Sequence, residues 1–272
     1  MKKLFLPLVF LFPFMVCAQN HSHSDHEEHG EEAHYDTVAI HDPNAYNVVD
    51  MKIYYKSTKR IYRAGQLLNG KKQGLWRTYF ESGILNRVEQ YNMDFYDGII
   101  LIFGDDGSLS REQYIRNSAL DGVMHDYYPG GYMKTEENYA KGVLNGWRRV
   151  YATDGSLQEE GMWKDGKRDS INRWLFPEGN PSVEYVYKAG VITGLSTQYY
   201  ESGKMKAQGS YRDNLEEGLW KEFYESGKVN TEGNYKAGKK AGSWKVYDES
   251  GALTKTQTWE NGVMVKEIPA KK

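Results

Sequence analysis

From Gly74 onward, apolar and aromatic side chains return to the same place every 24 residues, with polar residues and glycine between them. Five positions after Gly74 and its equivalents stand Tyr79, Phe103, Tyr127, Tyr151, Leu175, Tyr199, Phe223 and Tyr247. Seventeen positions after stand Tyr91, Ile115, Tyr139, Trp163, Tyr187, Tyr211, Tyr235 and Trp259. Glycine fixes the phase. It occupies positions 74, 98, 122, 146, 194, 218 and 242, with Ser170 in the fifth unit, and it recurs at every hairpin position from Gly83 to Gly251. No unit gains or loses a residue, so eight equal units stack without an inserted loop.

Each unit reads as a β-hairpin. In the seventh, Gly218 to Tyr224 is a short aromatic-rich strand, suited to a pleated, half-buried surface. Glu225-Ser226-Gly227 follows as a type I turn closed by a residue at positive φ, which glycine adopts without strain. Lys228 to Tyr235 is the return strand, and Lys236 to Gly242 is expected to turn into the next unit. Imperfect alternation in the first strand predicts a bulge there. A lone hairpin is marginal, so neighbouring units must pair. The expected fold is all-β: an elongated, single-layer stack of antiparallel hairpins, roughly 77 Å long for eight units at ~4.8 Å per strand. Tyr55, Gly65, Leu67 and Gly70 fall in the same columns and predict a partial capping unit, so the array is expected to span residues 50–272.

The N-terminal segment departs from this pattern. Lys2 and Lys3 precede an apolar run from Leu4 to Val16, and Val16-Cys17-Ala18 supplies a cleavage signature before Gln19. Residues 1–18 read as a signal peptide, too short and proline-broken to span ~30 Å of hydrocarbon. The chain is therefore expected to be exported to the periplasm, the cell surface or the medium, with no transmembrane segment in the mature chain. Lipoprotein anchoring through Cys17 is the less favoured alternative, because Phe14-Met15-Val16 lacks the usual small residues before the cysteine. Residues 19–49 read as a disordered tail rich in His and acid.

Composition narrows the function. The formal charge is −2 and no basic stripe is interleaved with aromatics, so nucleic acid is not an expected partner. The mature chain carries no cysteine, which excludes thiol chemistry and disulfides. His125 is the one histidine of the repeats, no nucleophile motif accompanies it, and no enzymatic activity is expected.

The unit Gly-x-Trp-x-x-Tyr/Phe-Tyr/Phe-Glu-Ser-Gly-Lys, followed by an aromatic and Asn-Gly or Ala-Gly, resembles the MORN-repeat family in its bacterial variant form, which includes YwqK-like antitoxin proteins. Trp76, Tyr79, Phe80 and Gly83, then Trp220, Phe223, Tyr224 and Gly227, then Trp244, Tyr247 and Gly251 carry the likeness best. The fifth unit departs most, with Ser170 and Asn172 where glycine and tryptophan are usual. The resemblance implies a non-enzymatic interaction surface for a protein partner, in one version an exported antitoxin-like or immunity-like protein. Binding of envelope polysaccharide and a structural spacer role are the alternatives.

Three sets of side chains are candidates for binding. Phe80, Tyr128, Phe176, Tyr200 and Tyr224 form a second aromatic column expected at the surface, where Tyr and Phe faces suit a partner or a sugar ring. Ile100 and Ile102 lie in an apolar strand that is either covered on both faces or a partner patch. In the tail, His21, His23, His26, His29 and His34, among acidic residues, are candidates for weak zinc or copper binding. No other cofactor is expected.

Overall fold

A computed structural model describes residues 34–271 of the chain. They form 21 β-strands, and every strand is antiparallel to its neighbours. Each strand pairs with the next in the chain, except that Val191–Ile192 and Gly194–Tyr199 are two pieces of one strand that both pair with Pro181–Lys188, so the described residues form an unbroken meander with no second layer. Strand bounds repeat with the sequence: β4 spans Lys71–Tyr79 and β5 Leu85–Asn92, whereas β17 spans Leu215–Phe223 and β18 Val229–Lys236. The ladder is therefore about 100 Å long at ~4.8 Å per strand.

The hairpin turns form as expected. In the first unit the Phe80 amide donates to the Ile84 carbonyl and the Gly83 amide to the Phe80 carbonyl, with Gly83 at φ 92°. The glycine at the start of each unit has another role. Gly242 was expected in a connecting turn, but it sits inside β19, Lys239–Tyr247, at φ 67°. The connecting turn ends four residues earlier, at Gly238. Between β3, Ile61–Leu68, and β4, pairing jumps from Gln66↔Gln73 to Ala64↔Arg77. Gly74, Leu75 and Trp76 thus bulge opposite Gly65. The bulge needs positive φ, and Ser170 adopts it too, at 56°.

The bulge builds the core. The Trp76 ring lies flat over Gly65: a Cβ on that glycine would stand 2.3 Å from the indole. Gly209 with Trp220 and Gly233 with Trp244 repeat this, at 2.1 and 2.2 Å. Each indole Nε1 donates to the carbonyl following its glycine: Gln66, Ser210 and Asn234, at 3.1, 3.2 and 3.1 Å. The fifth unit keeps the geometry with a smaller group. Asn172 is fully buried over Gly161, and its Nδ2 donates to the Asp169 carbonyl at 3.0 Å. Elsewhere the glycine is replaced, as by Glu89 opposite Ile100. That buried carboxylate is compensated by Arg63 at 2.7 Å, Arg87 at 2.8 Å and the Tyr96 hydroxyl at 3.1 Å, as a charge removed from water requires.

The N-terminal boundary differs from the expected one. Residues 35–49, assigned to a disordered tail, belong to β1, Tyr35–Asp42, and β2, Ala45–Tyr55. Their hairpin is held by stacking of Tyr35 on Tyr62 at 4.3 Å and by the Lys59–Asp36 ion pair at 2.8 Å. The array thus begins at Tyr35 rather than near Asp50. The proposed signal peptide and most of the His-rich tail lie outside the described residues.

Candidate binding face

Strand alternation sorts the side chains onto two faces. One face is a furrow. Tyr185, Tyr211, Trp220, Tyr235 and Trp244 meet edge-on in sequence along it, with centroids 5.6, 5.4, 5.7 and 5.2 Å apart. Cations lie over these rings: Lys240 is 3.9 Å from Trp244, and Arg168 is 5.1 Å from both Trp163 and Trp174. Burial pushes the Tyr235 hydroxyl up to about 12 and raises Tyr91, Tyr139 and Tyr211 further. This face uses its aromatics to hold the sheet together.

The opposite face carries a row of charge in direct cross-strand register. Glu136, Arg149, Glu160, Arg173 and Glu184 follow one another across five strands. Successive contacts are 2.7, 3.6, 3.0 and 3.1 Å. Farther along, Glu232 lies between Lys221 at 3.4 Å and Lys245 at 3.8 Å. The Tyr247 hydroxyl, with those two ammonium groups, holds the Glu232 carboxyl below its ordinary value. Cross-strand pairs of opposite sign favour the register, each by a few tenths of a kcal/mol up to ~1.

Beside this row runs an apolar one that sequence reading missed. The residue after each unit-start position is Leu75, Ile99, Val123, Trp147, Ile171, Leu195 and Leu219, ending at Ser243. Leu75, Trp147, Ile171, Leu195 and Leu219 are 41–54% exposed. One apolar side chain per unit thus stands at a pitch of ~9.6 Å, two strand spacings. Near the middle, Trp147, Met162, Ile171, Glu160 and Arg173 surround a shallow cavity of about 210 Å³. The Arg149 guanidinium covers the Trp147 ring at 5.3 Å. At the N-terminal end, Leu75 and Arg77 help line a second cavity of about 440 Å³.

The candidates nominated from sequence fall elsewhere. Phe80, Tyr128, Phe176, Tyr200 and Tyr224 are half-buried at the hairpin turns. The hydroxyls of Tyr128, Tyr200 and Tyr224 donate to Tyr151, Phe223 and Tyr247 carbonyls at 3.0, 2.7 and 2.8 Å, clasping each unit to the next. Phe176 and Tyr200 do meet, with Lys206 and Glu201, around a concavity of about 300 Å³. Ile100 is 2% exposed and Ile102 half-buried on the furrow face, so Ile100 contributes packing rather than a partner patch. His34 is exposed just before β1, and its carbonyl accepts the Lys56 amide at 3.0 Å. His21, His23, His26 and His29 lie outside the described residues. Among the described residues, no group of three His, Cys, Asp or Glu is placed to hold a metal ion, and no helix is long and apolar enough to cross a membrane.

The MORN repeat variant family matches three stretches of the chain, residues 72–93, 192–213 and 216–237. Each covers most of a bulged strand, its hairpin turn and the return strand. Repeats of this kind typically serve as surfaces for protein or membrane interaction. No curated protein matches the chain.

Proposed function

We propose that the chain is an exported, non-enzymatic binding strip whose charge-flanked apolar face holds a protein partner. The observation that carries this reading is the apolar row from Leu75 to Leu219, exposed at Leu75, Trp147, Ile171, Leu195 and Leu219 and half-buried at Ile99 and Val123, where a solitary sheet would place polar groups. Its centre joins Trp147 to Arg149 and Arg173, the residue types that concentrate binding energy at protein interfaces. The neighbouring Glu and Arg side chains are already paired with one another. They act as a polar rim that fixes register and excludes like-charged competitors. The repeat match supports an interaction surface, the expected leader supports a partner met outside the cytoplasm, and an immunity-type role that masks a toxin there is the specific form we favour.

Affinity capture from an envelope fraction tests this reading. The wild-type chain should retain a stoichiometric protein, and Trp147→Ala with Ile171→Asp should release it while the circular dichroism spectrum stays unchanged. Retention of the same protein by that variant would sink the proposal. The concavity at Phe176, Tyr200 and Lys206 favours a second reading, envelope polysaccharide. Under it, retention on polysaccharide would be lost on Tyr200→Ala with Tyr224→Ala and kept by the Trp147 variant.

A further inference from the structure

The repeat places all hairpin turns along one long edge of the strip and all connecting turns along the other. The edges carry opposite charge. On the hairpin edge, Asp105, Asp154, Glu178, Glu201, Glu225 and Glu249 are exposed, against Lys204 and Lys228 and, in the first such turn, Lys56, Lys59 and Arg60. On the connecting edge, Arg116, Lys141, Lys164, Lys188, Arg212 and Lys236 are exposed, one in each of six consecutive units. Asp165 and Asp213 stand among them, so this edge is basic in balance rather than throughout. Serine pairing keeps the hairpin carboxylates ionised: the Ser156 and Ser250 hydroxyls hold Asp154 and Asp248 below the ordinary carboxylate range.

We infer that a second copy of this chain docks edge to edge, its acidic hairpin turns against the basic connecting turns of the first. The argument is one of pitch. Both edges repeat every 24 residues, at the same ~9.6 Å, because the same strands generate them. A second copy laid alongside in the same orientation therefore sets its hairpin carboxylates at the pitch of the cations of units two to seven, with a gap only at the third unit's turn, Pro129-Gly130-Gly131. An unrelated partner would match that spacing only by coincidence. One exposed ion pair is weak and screened by salt, so the contact depends on many pairs in register and on low ionic strength. The pairing is heterologous, each copy keeping one free edge of each sign, so it grows into open ribbons rather than closing as a dimer.

Sedimentation velocity of the full chain at about 20 mM and about 500 mM salt tests the inference. The wild type should form a concentration-dependent series of oligomers at low salt and dissociate at high salt. Lys164→Glu with Lys188→Glu, and separately Glu201→Lys with Glu225→Lys, should each shift the low-salt distribution towards monomer. Mixing these two variants should restore association, because the acidic edges of one meet the basic edges of the other at both the altered and the unaltered contacts. Mixing the Lys164 and Lys188 variant with wild type should shorten the wild-type ribbons by capping them. A wild type that stays monomeric at low salt would overturn the inference. So would association that both variants keep in full, which would place the contact on the apolar face instead. All four substituted residues are exposed, Lys164 and Lys188 at strand ends and Glu201 and Glu225 in turns, and an unchanged circular dichroism spectrum verifies that each variant is folded.

Discussion

At the scale of single residues, glycine does two separable jobs. Gly218 sits at φ +75° with open space where a side chain would stand, so its requirement is conformational. Gly233 has no such φ, and its requirement is the Trp244 ring pressed against it. Gly218→Ala should cost about 1–2 kcal/mol through left-handed backbone strain. Gly233→Ala should cost about 2–3 kcal/mol through overpacking, and Trp244→Leu in the same chain should recover part of that loss. Denaturant unfolding of the two single variants and the double variant checks both. The second job was written in the sequence but not legible as adjacency. The Gly65/Trp76, Gly161/Asn172, Gly209/Trp220 and Gly233/Trp244 pairs are eleven residues apart and meet only across two strands. The buried tyrosines give a further expectation. Tyr235 titrates near 12 when folded and near 10 when unfolded, so the folded state holds the proton more tightly. Stability should be level up to pH ~10 and fall as pH rises towards 12, because the unfolded chain loses that proton first. Denaturation midpoints measured across that range test the sign.

At the scale of the element, the unit is a hairpin with one bulged strand, and the bulge decides which side chains face out. Expecting a bulge without placing it left the faces unassigned, so the row from Leu75 to Leu219 went unseen although its column is apolar in seven consecutive units. The second aromatic column was visible, but its structural job was not. Its tyrosine hydroxyls reach the next unit's backbone, as Tyr224 reaches Tyr247 at 2.8 Å. Tyr224→Phe should therefore lower stability by about 1 kcal/mol and speed amide exchange around β19 and β20, Leu253–Glu260, without weakening partner capture. The β1–β2 hairpin was missed for a different reason. Before Tyr55 the 24-residue columns lose their usual residues, and the composition of the tail masked the alternation in Tyr35-Asp-Thr-Val-Ala-Ile-His-Asp42.

At the scale of the whole molecule, a one-layer meander has no single core, and each unit leans only on its neighbours. Its buried apolar side chains gather around Trp76 with Tyr91 and Ile100, and around Trp220 with Ala207 and Trp244; Met124 lies between. Amide exchange should be slowest at those two places and fastest in β21, Val263–Pro269, where every residue is exposed. The period, the strand count per unit and the absence of a second layer all followed from column spacing, because a gapless repeat leaves the chain one way to stack. The binding face followed only from the positions of the bulges. The most direct test of that face is site-specific photo-cross-linking in the presence of the captured partner. A photoreactive group at Ile171 or Leu195 should trap the partner, and the same group at Thr153 on the hairpin edge should not. Trapping from Thr153 with none from Ile171 or Leu195 would contradict the account.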